Sequence, residues 1–318
     1  MTPEQISALR TALPPLAEAT GLSAEQRAYC RYYGIDFCEA WPAIEHRLGY
    51  VTSGHFQLAV HYYTNPNATS TLLLVHGYFD HSGLFGNLIE FGLSRNCNVL
   101  AFDLPGHGMS TGEPAVIDDF ADYGRAVNDV LKSIAPTTLL PLWVMAQSTG
   151  CAALVEYARR YRWSFLTTVL LAPLGKPKGW RQARILHSVM KPFVNSIPRT
   201  FSRNSSDEEF LSFIQTDPLQ SRRLSLRWVS ALKLWLKRLP QTSLGVGSAL
   251  IVQGDKDQTV DWKYNLKLYK VLFPGSRVVM LPGAGHHLAK ESKVIRDNYL
   301  LQVARELDQK LQLKVDSA

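Results

Sequence analysis

Short apolar segments alternate with longer helix-like segments through most of the chain, and this rhythm limits the possible folds more than any other feature. Four such segments lie in the first part of the chain, at residues 71–76, 99–103, 139–146 and 166–172. Short, uniformly apolar strands are buried on both faces, as in parallel sheets that helices cover. The sequence therefore predicts an α/β fold with a mostly parallel, doubly wound sheet.

The rhythm stops at Pro173 and resumes at Ser248 with a strand, a helix, a further strand and a last helix. Because the interruption follows the carboxyl end of a strand, we expect it to lie over the active-site side of the sheet as a helical lid. Alternating residues over 48–52 and 56–63 predict an antiparallel pair at one sheet edge. We therefore expect a helical segment (1–45), an α/β core (46–172 and 246–318) and a lid (173–245).

The predicted lid carries most of the positive charge. The chain has a net charge of +7, and residues 175–240 contain thirteen Lys and Arg against four Asp and Glu. Aromatic residues are interleaved with these charges, which favours contact with an amphiphile or an anionic membrane over nucleic acid. The predicted helix Leu224–Leu239 has apolar residues on more than one face. Packing among lid helices therefore explains it at least as well as membrane contact.

The composition, the N-terminal sequence and the cysteines indicate which class of protein and which compartment to expect. The 318 residues are 46% hydrophobic and 19% charged, as in ordinary globular proteins. No secretory signal is visible after Met1, and no apolar stretch approaches the roughly 18 residues of a membrane span. Cys30 and Cys38 could pair, but scattered cysteines favour reduced thiols. We expect a cytoplasmic protein, with peripheral contact at the inner face of the membrane as a further option.

A serine lies between small residues at the junction of a predicted strand and a predicted helix. The pentapeptide Ala146–Gly150 has Ser148 at its centre. A nucleophile is held in such a tight turn, where flanking residues must be small and helix N–H groups face the developing oxyanion. Ala146 departs from the usual G-x-S-x-G pattern, and a serine that only caps a helix would give similar residues. Other motifs have to decide between these interpretations.

A serine nucleophile needs a histidine base and an acid that orients this base. Two aspartates follow the strand predicted at 250–253, and two histidines follow the strand predicted at 277–281. These residues are Asp255, Asp257, His286 and His287. Both groups stand at the carboxyl ends of strands, in the order serine, acid, histidine. The residues alone leave open which member of each group acts.

Five blocks make the chain resemble the α/β-hydrolase superfamily and, within it, the monoacylglycerol lipase and lysophospholipase family. The resemblance extends from about Gly49 to Glu291. The blocks are Leu74–Ser82, Phe102–Ser110, the serine pentapeptide, G-x-x-D with V three residues later (254–260), and Gly283–His286. The resemblance implies an α/β-hydrolase fold with an inserted helical lid.

The resemblance also assigns roles to particular residues. The acid is the aspartate of G-x-x-D, Asp257, and the base is the histidine that closes the last block, His286. The backbone N–H groups of Tyr78 and Thr149 form the oxyanion hole, so the nature of their side chains is free. Asp255 would then shape a turn and the second histidine would cap or pack nearby.

We predict a serine-dependent carboxylic ester hydrolase that acts on a single-chain lipid, either a lysophospholipid or a monoacylglycerol, through an acyl-enzyme. The basic lid favours the lysophospholipid. Alternatives on the same fold are a prolyl-aminopeptidase-like enzyme, a short-chain esterase and a non-catalytic ligand-binding relative. We expect no cofactor, no metal set and no nucleic-acid partner, since no phosphate or dinucleotide loop and no metal-ligand spacing are present.

Overall fold

The computed structural model describes residues 1–134 and 140–316. Leu139, with which the predicted strand before the serine begins, lies outside this part of the chain. Within it, an eight-stranded sheet forms the centre of the molecule. Its strands are β1 (Glu45–Ser53), β2 (Phe56–Thr64), β3 (Ser70–Val75), β4 (Cys97–Phe102), β5 (Leu142–Gln147), β6 (Phe165–Leu171), β9 (Leu250–Gly254) and β10 (Arg277–Leu281). A separate two-stranded sheet pairs β7 (Ser196–Pro198) with β8 (Arg223–Ser225).

The sheet is mostly parallel, as the apolar runs predict. Its strand order is β1-β2-β4-β3-β5-β6-β9-β10. The first two strands lie at one edge: β1 is antiparallel to β2, and β2 is antiparallel to β4. The strands β4, β3, β5, β6, β9 and β10 then run parallel to one another. The chain passes from β3 to β4 on one side and then to β5 on the other. The loops after β3 and β5 therefore meet at a topological switch point, where open α/β sheets bind their ligands.

Helices cover both faces of the sheet. They are α1 (Pro3–Thr11), α2 (Ala24–Tyr32), α3 (Gly86–Ser94), α4 (Ala121–Ile134), α5 (Thr149–Arg160), α6 (Trp180–Met190), α7 (Glu208–Thr216), α8 (Leu226–Arg238), α9 (Trp262–Leu272) and α10 (Lys293–Asp316). Buried residues of α4, α5, α8 and α9 pack on one face, and those of α2, α3, α7 and α10 pack on the other. Every residue of β3 and β4 is buried, which explains the apolar runs Leu72–Val75 and Val99–Phe102 within them. None of the described helices has the length and apolar character needed to cross a membrane.

Several helix bounds differ from those predicted, for local reasons. The 3₁₀ turn Ser82–Phe85 precedes α3, and the helix predicted from Leu224 begins at Leu226. Its two preceding residues pair in β8, and the Ser225 hydroxyl accepts from the first backbone N–H groups of α8. The N-terminal segment is only partly helical. Gly34 adopts φ +67° after α2, a left-handed conformation that ends the helix.

Residues 173–245 pack on the α/β core through buried aromatic side chains of α8. The Trp228 ring stacks on Tyr78 with 3.9 Å between centroids. The Trp235 indole N–H donates to Glu156 of α5 at 3.0 Å. Glu156 is buried and is also paired with Arg160 at 2.9 Å. The apolar residues that could have been membrane-facing on this helix are therefore largely core residues, which favours the packing interpretation of its sequence.

Candidate active site

Ser148 lies between β5 and α5 in a conformation that few residues other than glycine adopt. Its backbone has φ 51° and ψ −112°, which is strained for a residue with a Cβ atom. The N–H group donates to the carbonyl oxygen of Leu171 at 2.9 Å, and α5 begins at Thr149. The hydroxyl therefore stands on a sharp strand-to-helix turn at the carboxyl ends of the parallel strands, as in a nucleophile elbow.

Close packing around this turn requires glycine on one side of the serine. A Cβ atom on Gly150 would lie 2.3 Å from the carbonyl oxygen of Val75, and one on Gly77 would lie 3.2 Å from the Cβ atom of Ser148. Ala146 is fully buried in β5 and is not among the described residues with positive φ. The position two before the serine therefore accommodates a methyl group, whereas the position two after it does not.

The structure brings Ser148, His286 and Asp257 into one hydrogen-bonded chain. His286 Nε2 lies 2.9 Å from Ser148 Oγ, and its Nδ1 lies 2.7 Å from Asp257 Oδ2. All three side chains are buried. Three further groups donate to the carboxylate, at 3.0, 2.8 and 3.1 Å: the Gln253 side-chain amide and the N–H groups of Thr259 and Val260. This geometry suits transfer of the serine proton to an oriented imidazole.

The pKa values within this chain are shifted in opposite directions. Burial by itself lowers the pKa of His286, but the Asp257 carboxylate and its hydrogen bond raise it, and the net pKa is raised above the ordinary value. Burial by itself raises the pKa of Asp257, but the imidazole and the N–H donors outweigh it, so the net pKa is lowered. The aspartate thus stays ionised and stabilises a protonated His286.

The two residues predicted to supply the oxyanion hole lie at the same site. Thr149 is the first residue of α5, and Tyr78 lies in the loop that follows β3; both line a cavity with Ser148. In the described part of the chain, neither N–H has a hydrogen-bond partner. The Tyr78 side chain is fixed separately, since its hydroxyl donates to the carbonyl oxygen of Ala115 at 2.7 Å. The two predicted donors therefore belong to residues that line the cavity with Ser148, and the described part of the chain does not use their N–H groups.

The structure separates the members of each ambiguous pair. Asp255 is exposed and accepts from the N–H of Gly283 at 2.8 Å, so it shapes a turn. His287 is buried and donates to Asp80, with 2.7 Å between Nε2 and Oδ1. Of the two candidates in each pair, Asp257 and His286 are therefore the ones that form the hydrogen-bonded chain with Ser148.

The pair of Asp80 and His287 is a feature that the sequence reasoning missed. Asp80 is buried, and its other oxygen accepts from the Gln147 amide at 3.3 Å. Burial raises the pKa of Asp80, but His287 and neighbouring histidines outweigh it, and the net pKa is strongly lowered. The only sequence signal was the position of Asp80 within the block Leu74–Ser82. This second carboxylate lies in the wall of the same cavity.

Residues of the segment 173–245 also form hydrogen bonds with the loop that carries His286 and His287, the histidine loop. The N–H groups of His286 and His287 both donate to the carbonyl oxygen of Asn204 at 2.8 Å. Glu291 is fully buried just beyond this loop and accepts from the N–H of Ser206 at 2.9 Å. Residues 204–206 are thus fastened to the loop that presents the imidazole to Ser148.

A cavity of about 310 Å³ lies beside the serine hydroxyl. The residues that line it are mostly apolar and come largely from residues 173–245: Leu174, Trp180, Met190, Phe201, Phe210, Ile214, Leu224 and Val229. Polar side chains line it both at the serine and within residues 173–245, among them Thr200, Ser202 and Gln220, and the cation Arg199 lies in the wall. An apolar cavity with a few converging polar groups is typical of a small-molecule site.

One buried group in the described part of the chain has the chemistry of metal ligands. Ligand atoms of Cys30, His46 and His61 lie within 4.8 Å of one another. No spacing pattern in the sequence indicates this group, because the residues come from α2, β1 and β2. His46 Nε2 and His61 Nδ1 are 3.0 Å apart and share a hydrogen bond. Burial raises the pKa of the Cys30 thiol, which disfavours the thiolate that binds metals, so we assign no metal to this group.

Comparison with known proteins supports the same fold and class. A model of the family described as serine aminopeptidase, S33 matches residues 66–293. Human monoglyceride lipase is 26% identical over 247 residues, which cover 72% of this chain and 80% of the relative. The phospholipase YtpA of Bacillus subtilis is 25% identical over 201 residues, which cover 60% of this chain and 77% of the relative.

Solved structures of low sequence identity share the fold. A soluble variant of monoglyceride lipase from Saccharomyces cerevisiae, in complex with a substrate analogue, has a TM-score of 0.72 at 17% identity and covers 83% of this chain and 96% of its own. The monoacylglycerol lipase of Paleococcus ferrophilus has a TM-score of 0.67 at 19% identity, over 80% and 99% of the two chains. Since the family model also matches most of the sequence, the chain belongs to the serine aminopeptidase, S33 family and is an α/β-hydrolase of the serine hydrolase class that resembles monoacylglycerol lipase.

Proposed function

We propose that the protein hydrolyses a carboxylic ester of a single-chain lipid, either a lysophospholipid or a monoacylglycerol, through a serine acyl-enzyme. The observation that carries this proposal is the hydrogen-bonded chain from Ser148 through His286 to Asp257 beside an apolar cavity. Human monoglyceride lipase and the phospholipase YtpA, which are named for lipid esters, support it.

In the proposed mechanism, Ser148 Oγ attacks the ester carbonyl carbon while His286 Nε2 accepts the serine proton. The tetrahedral intermediate collapses, the bond to the alcohol breaks, and the imidazolium gives its proton to the leaving alcohol. Water then attacks the acyl-enzyme with the same histidine as base, which releases the fatty acid and restores the serine. Asp257 keeps Nδ1 protonated throughout and stabilises the imidazolium.

The N–H groups of Tyr78 and Thr149 are the proposed oxyanion hole. Both lack partners in the described chain, and the N-terminus of α5 adds a favourable dipole for the developing negative charge. Loss of one such donor typically costs about two to three orders of magnitude in rate. Because the donors are main-chain groups, changes to the two side chains should act only through packing.

The family description favours one alternative, an aminopeptidase. A peptidase that recognises a free amino terminus needs an unpaired carboxylate near the serine. The carboxylate that lines the cavity near the serine, Asp80, is already paired with His287. The wall also carries the cation Arg199, which would repel a substrate ammonium group. We therefore favour the lipid ester over the peptide, and over a short-chain esterase because of the apolar wall. A ligand-binding relative without activity would not need the complete Ser148–His286–Asp257 chain.

The test is a substrate panel with wild-type protein and Ser148→Ala. We expect the wild type to hydrolyse lysophospholipids or monoacylglycerols faster than short-chain esters and proline amides, and we expect the variant to lose about 10⁶-fold in kcat. A fluorophosphonate should label Ser148 alone. Ester turnover retained by a folded variant, or a wild type that prefers proline amides, would reject the proposal.

We also propose that residues 173–245 form a lid that contacts an anionic membrane through α6 rather than α8. Four large apolar side chains near α6 are exposed, in contrast to the buried tryptophans of α8: Ile185, Leu186, Val189 and Phe193. Arg181, Arg184 and Lys191 are exposed on the same stretch. An apolar face flanked by cations suits an interface with anionic lipid.

Co-sedimentation with vesicles tests this contact. We expect the wild type to bind phosphatidylglycerol vesicles in a salt-dependent manner and to bind neutral vesicles weakly. The double variant Val189→Glu with Phe193→Glu should lose vesicle binding and keep its activity on a soluble ester, because neither residue lines the cavity. Equal binding of the wild type and the variant would reject α6 as the contact.

A further inference from the structure

Arg199 is a cation in the wall of the cavity that has no carboxylate partner. It follows β7, is partly buried, and lines the same cavity as Ser148 and His286. Among the described residues, no Asp or Glu lies within ion-pair distance of its guanidinium. Partly buried cations are usually paired, because removing a charge from water is costly. The missing partner is therefore a feature that needs an explanation.

The guanidinium is held rigidly between two aromatic rings. Its central carbon lies 4.0 Å from the ring centroid of Phe79 and 4.4 Å from that of Phe201. Phe79 follows the proposed oxyanion donor Tyr78 and has φ 63°, an uncommon conformation for an aromatic residue. The stack therefore fixes the plane of Arg199 next to the loop that faces the reacting carbonyl.

Only one edge of the guanidinium is used by the protein. Nη1 donates to the Gln220 side chain at 2.7 Å and to the carbonyl oxygen of Ser221 at 3.3 Å. In the described part of the chain, Nε and Nη2 have no hydrogen-bond partner. Nε and Nη2 form the edge with which arginine binds phosphate or carboxylate through two parallel hydrogen bonds. This edge remains available to a ligand.

Two carboxylates that act on the Arg199 charge are already hydrogen-bonded to histidines. Asp80 accepts from His287, and Asp217 accepts from His81 at 2.9 Å. Burial lowers the pKa of Arg199 to about 10, with Asp80 opposing the shift. The guanidinium is therefore still charged at neutral pH, and the protein does not neutralise it directly.

We propose that Arg199 binds the phosphate of a single-chain phospholipid whose ester carbonyl lies at Ser148. This inference rests on the proposed ester hydrolysis and selects the lysophospholipid from the two substrates named there. A phosphodiester accepts two hydrogen bonds from the free edge and neutralises the charge, whereas the glycerol of a monoacylglycerol offers only neutral hydroxyls. Arg199 is thus a specificity-determining residue of the cavity.

The decisive experiment compares Arg199→Met on two substrates with the same medium-length acyl chain, a lysophosphatidylglycerol and a monoacylglycerol, both below their aggregation concentrations. We expect kcat/KM for the phospholipid to fall about 10- to 100-fold, as for loss of a charged hydrogen-bonded pair, and that for the monoacylglycerol to change by less than about threefold. Equal loss on both substrates, or loss on neither, would overturn the proposal.

The matched control is Lys237→Met, which removes one exposed positive charge of the same segment outside the cavity. It should leave the ratio of the two kcat/KM values unchanged. Arg199→Lys keeps the charge but loses the two-donor edge, so the preference for the phospholipid should be only partly restored. Full restoration by lysine would show that charge alone, and not the oriented edge, is recognised, and would overturn the binding geometry.

A binding measurement separates this inference from the proposed activity. A non-hydrolysable ether analogue of lysophosphatidylglycerol is titrated into Ser148→Ala and into the double variant that also carries Arg199→Met. We expect weaker binding, by about tenfold or more, only when Arg199 is replaced. If the wild type hydrolyses no ester yet this difference persists, the function fails and the phosphate site stands. If esters are hydrolysed and the two proteins bind equally, the phosphate site fails alone.

Discussion

Two adjacent histidines, His286 and His287, each bind a buried aspartate at 2.7 Å, yet their surroundings differ. The second nitrogen of His286 reaches Ser148, whereas Nδ1 of His287 has no partner in the described chain. Within residues 1–134 and 140–316, Asp257 accepts from three donors besides His286, whereas Asp80 accepts from one besides its histidine, the Gln147 amide. The same kind of aspartate–histidine pair therefore continues to the serine hydroxyl in one place and ends at the imidazole in the other.

The largest expected difference between the two histidines is in catalytic activity. His286→Ala should lower kcat by about 10⁶-fold, because His286 is the base that contacts Ser148 Oγ in the described part of the chain. His287→Ala should lower kcat by no more than about 100-fold, because His287 does not contact the serine. Steady-state kinetics on one soluble ester would measure both values. A loss in His287→Ala as large as that in His286→Ala would contradict the division of roles.

Stability should rank the same two variants in the opposite order. His287→Ala leaves the Asp80 carboxylate buried with one weak donor, and loss of one partner of a buried pair costs about 3–5 kcal/mol. His286→Ala leaves Asp257 with three donors and should cost less. Urea unfolding of the two variants would compare the free energies of unfolding. His287→Gln retains a donor and serves as the conservative control.

A smaller effect appears in the pH dependence. His286 must be neutral to accept the serine proton, so kcat/KM falls as the pH drops below its raised pKa. Asp257→Asn removes the carboxylate that raises this pKa, so the acid limb should shift to lower pH, while kcat drops by about 10⁴-fold. A pH profile of kcat/KM measures both changes.

Asp255→Asn is the control for this prediction. The side chain is exposed and only shapes a turn, and surface substitutions of this kind usually have small effects. The acid limb and the rate should stay near those of the wild type. A shift of the acid limb in Asp255→Asn, and none in Asp257→Asn, would reverse the assignment.

Much of the fold could be predicted because its signals are local. Buried parallel strands show as short apolar runs, and the order of β5, β9 and β10 brings Ser148, Asp257 and His286 to one edge of the sheet. The first residue of α8 could not be predicted in this way, since the helix begins only after β8, which pairs with a strand about 27 residues earlier. That pairing is a tertiary effect without a local pattern.

The second ion pair and the free guanidinium could not be predicted for the same reason. Asp80 and His287 are 207 positions apart in sequence, and no spacing rule links them. Arg199 is one of thirteen basic residues between 175 and 240. Its place in the cavity wall and its contacts with Phe79 and Phe201 come from the tertiary structure. A count of charges predicts a basic segment, but the tertiary contacts of each side chain determine which cation lines the cavity.

The attachment of Asn204 to the histidine loop bears on how a lipid can enter. The carbonyl oxygen of Asn204 accepts hydrogen bonds from the N–H groups of both His286 and His287. An outward movement of the residues near 204 would therefore also move the His286 imidazole away from the serine. We infer that this end of the segment stays fixed to the histidine loop and that a lipid enters beside α6, whose residues also line the cavity. A crosslink that pins α6 to the core should then block entry of long acyl chains and still admit short ones.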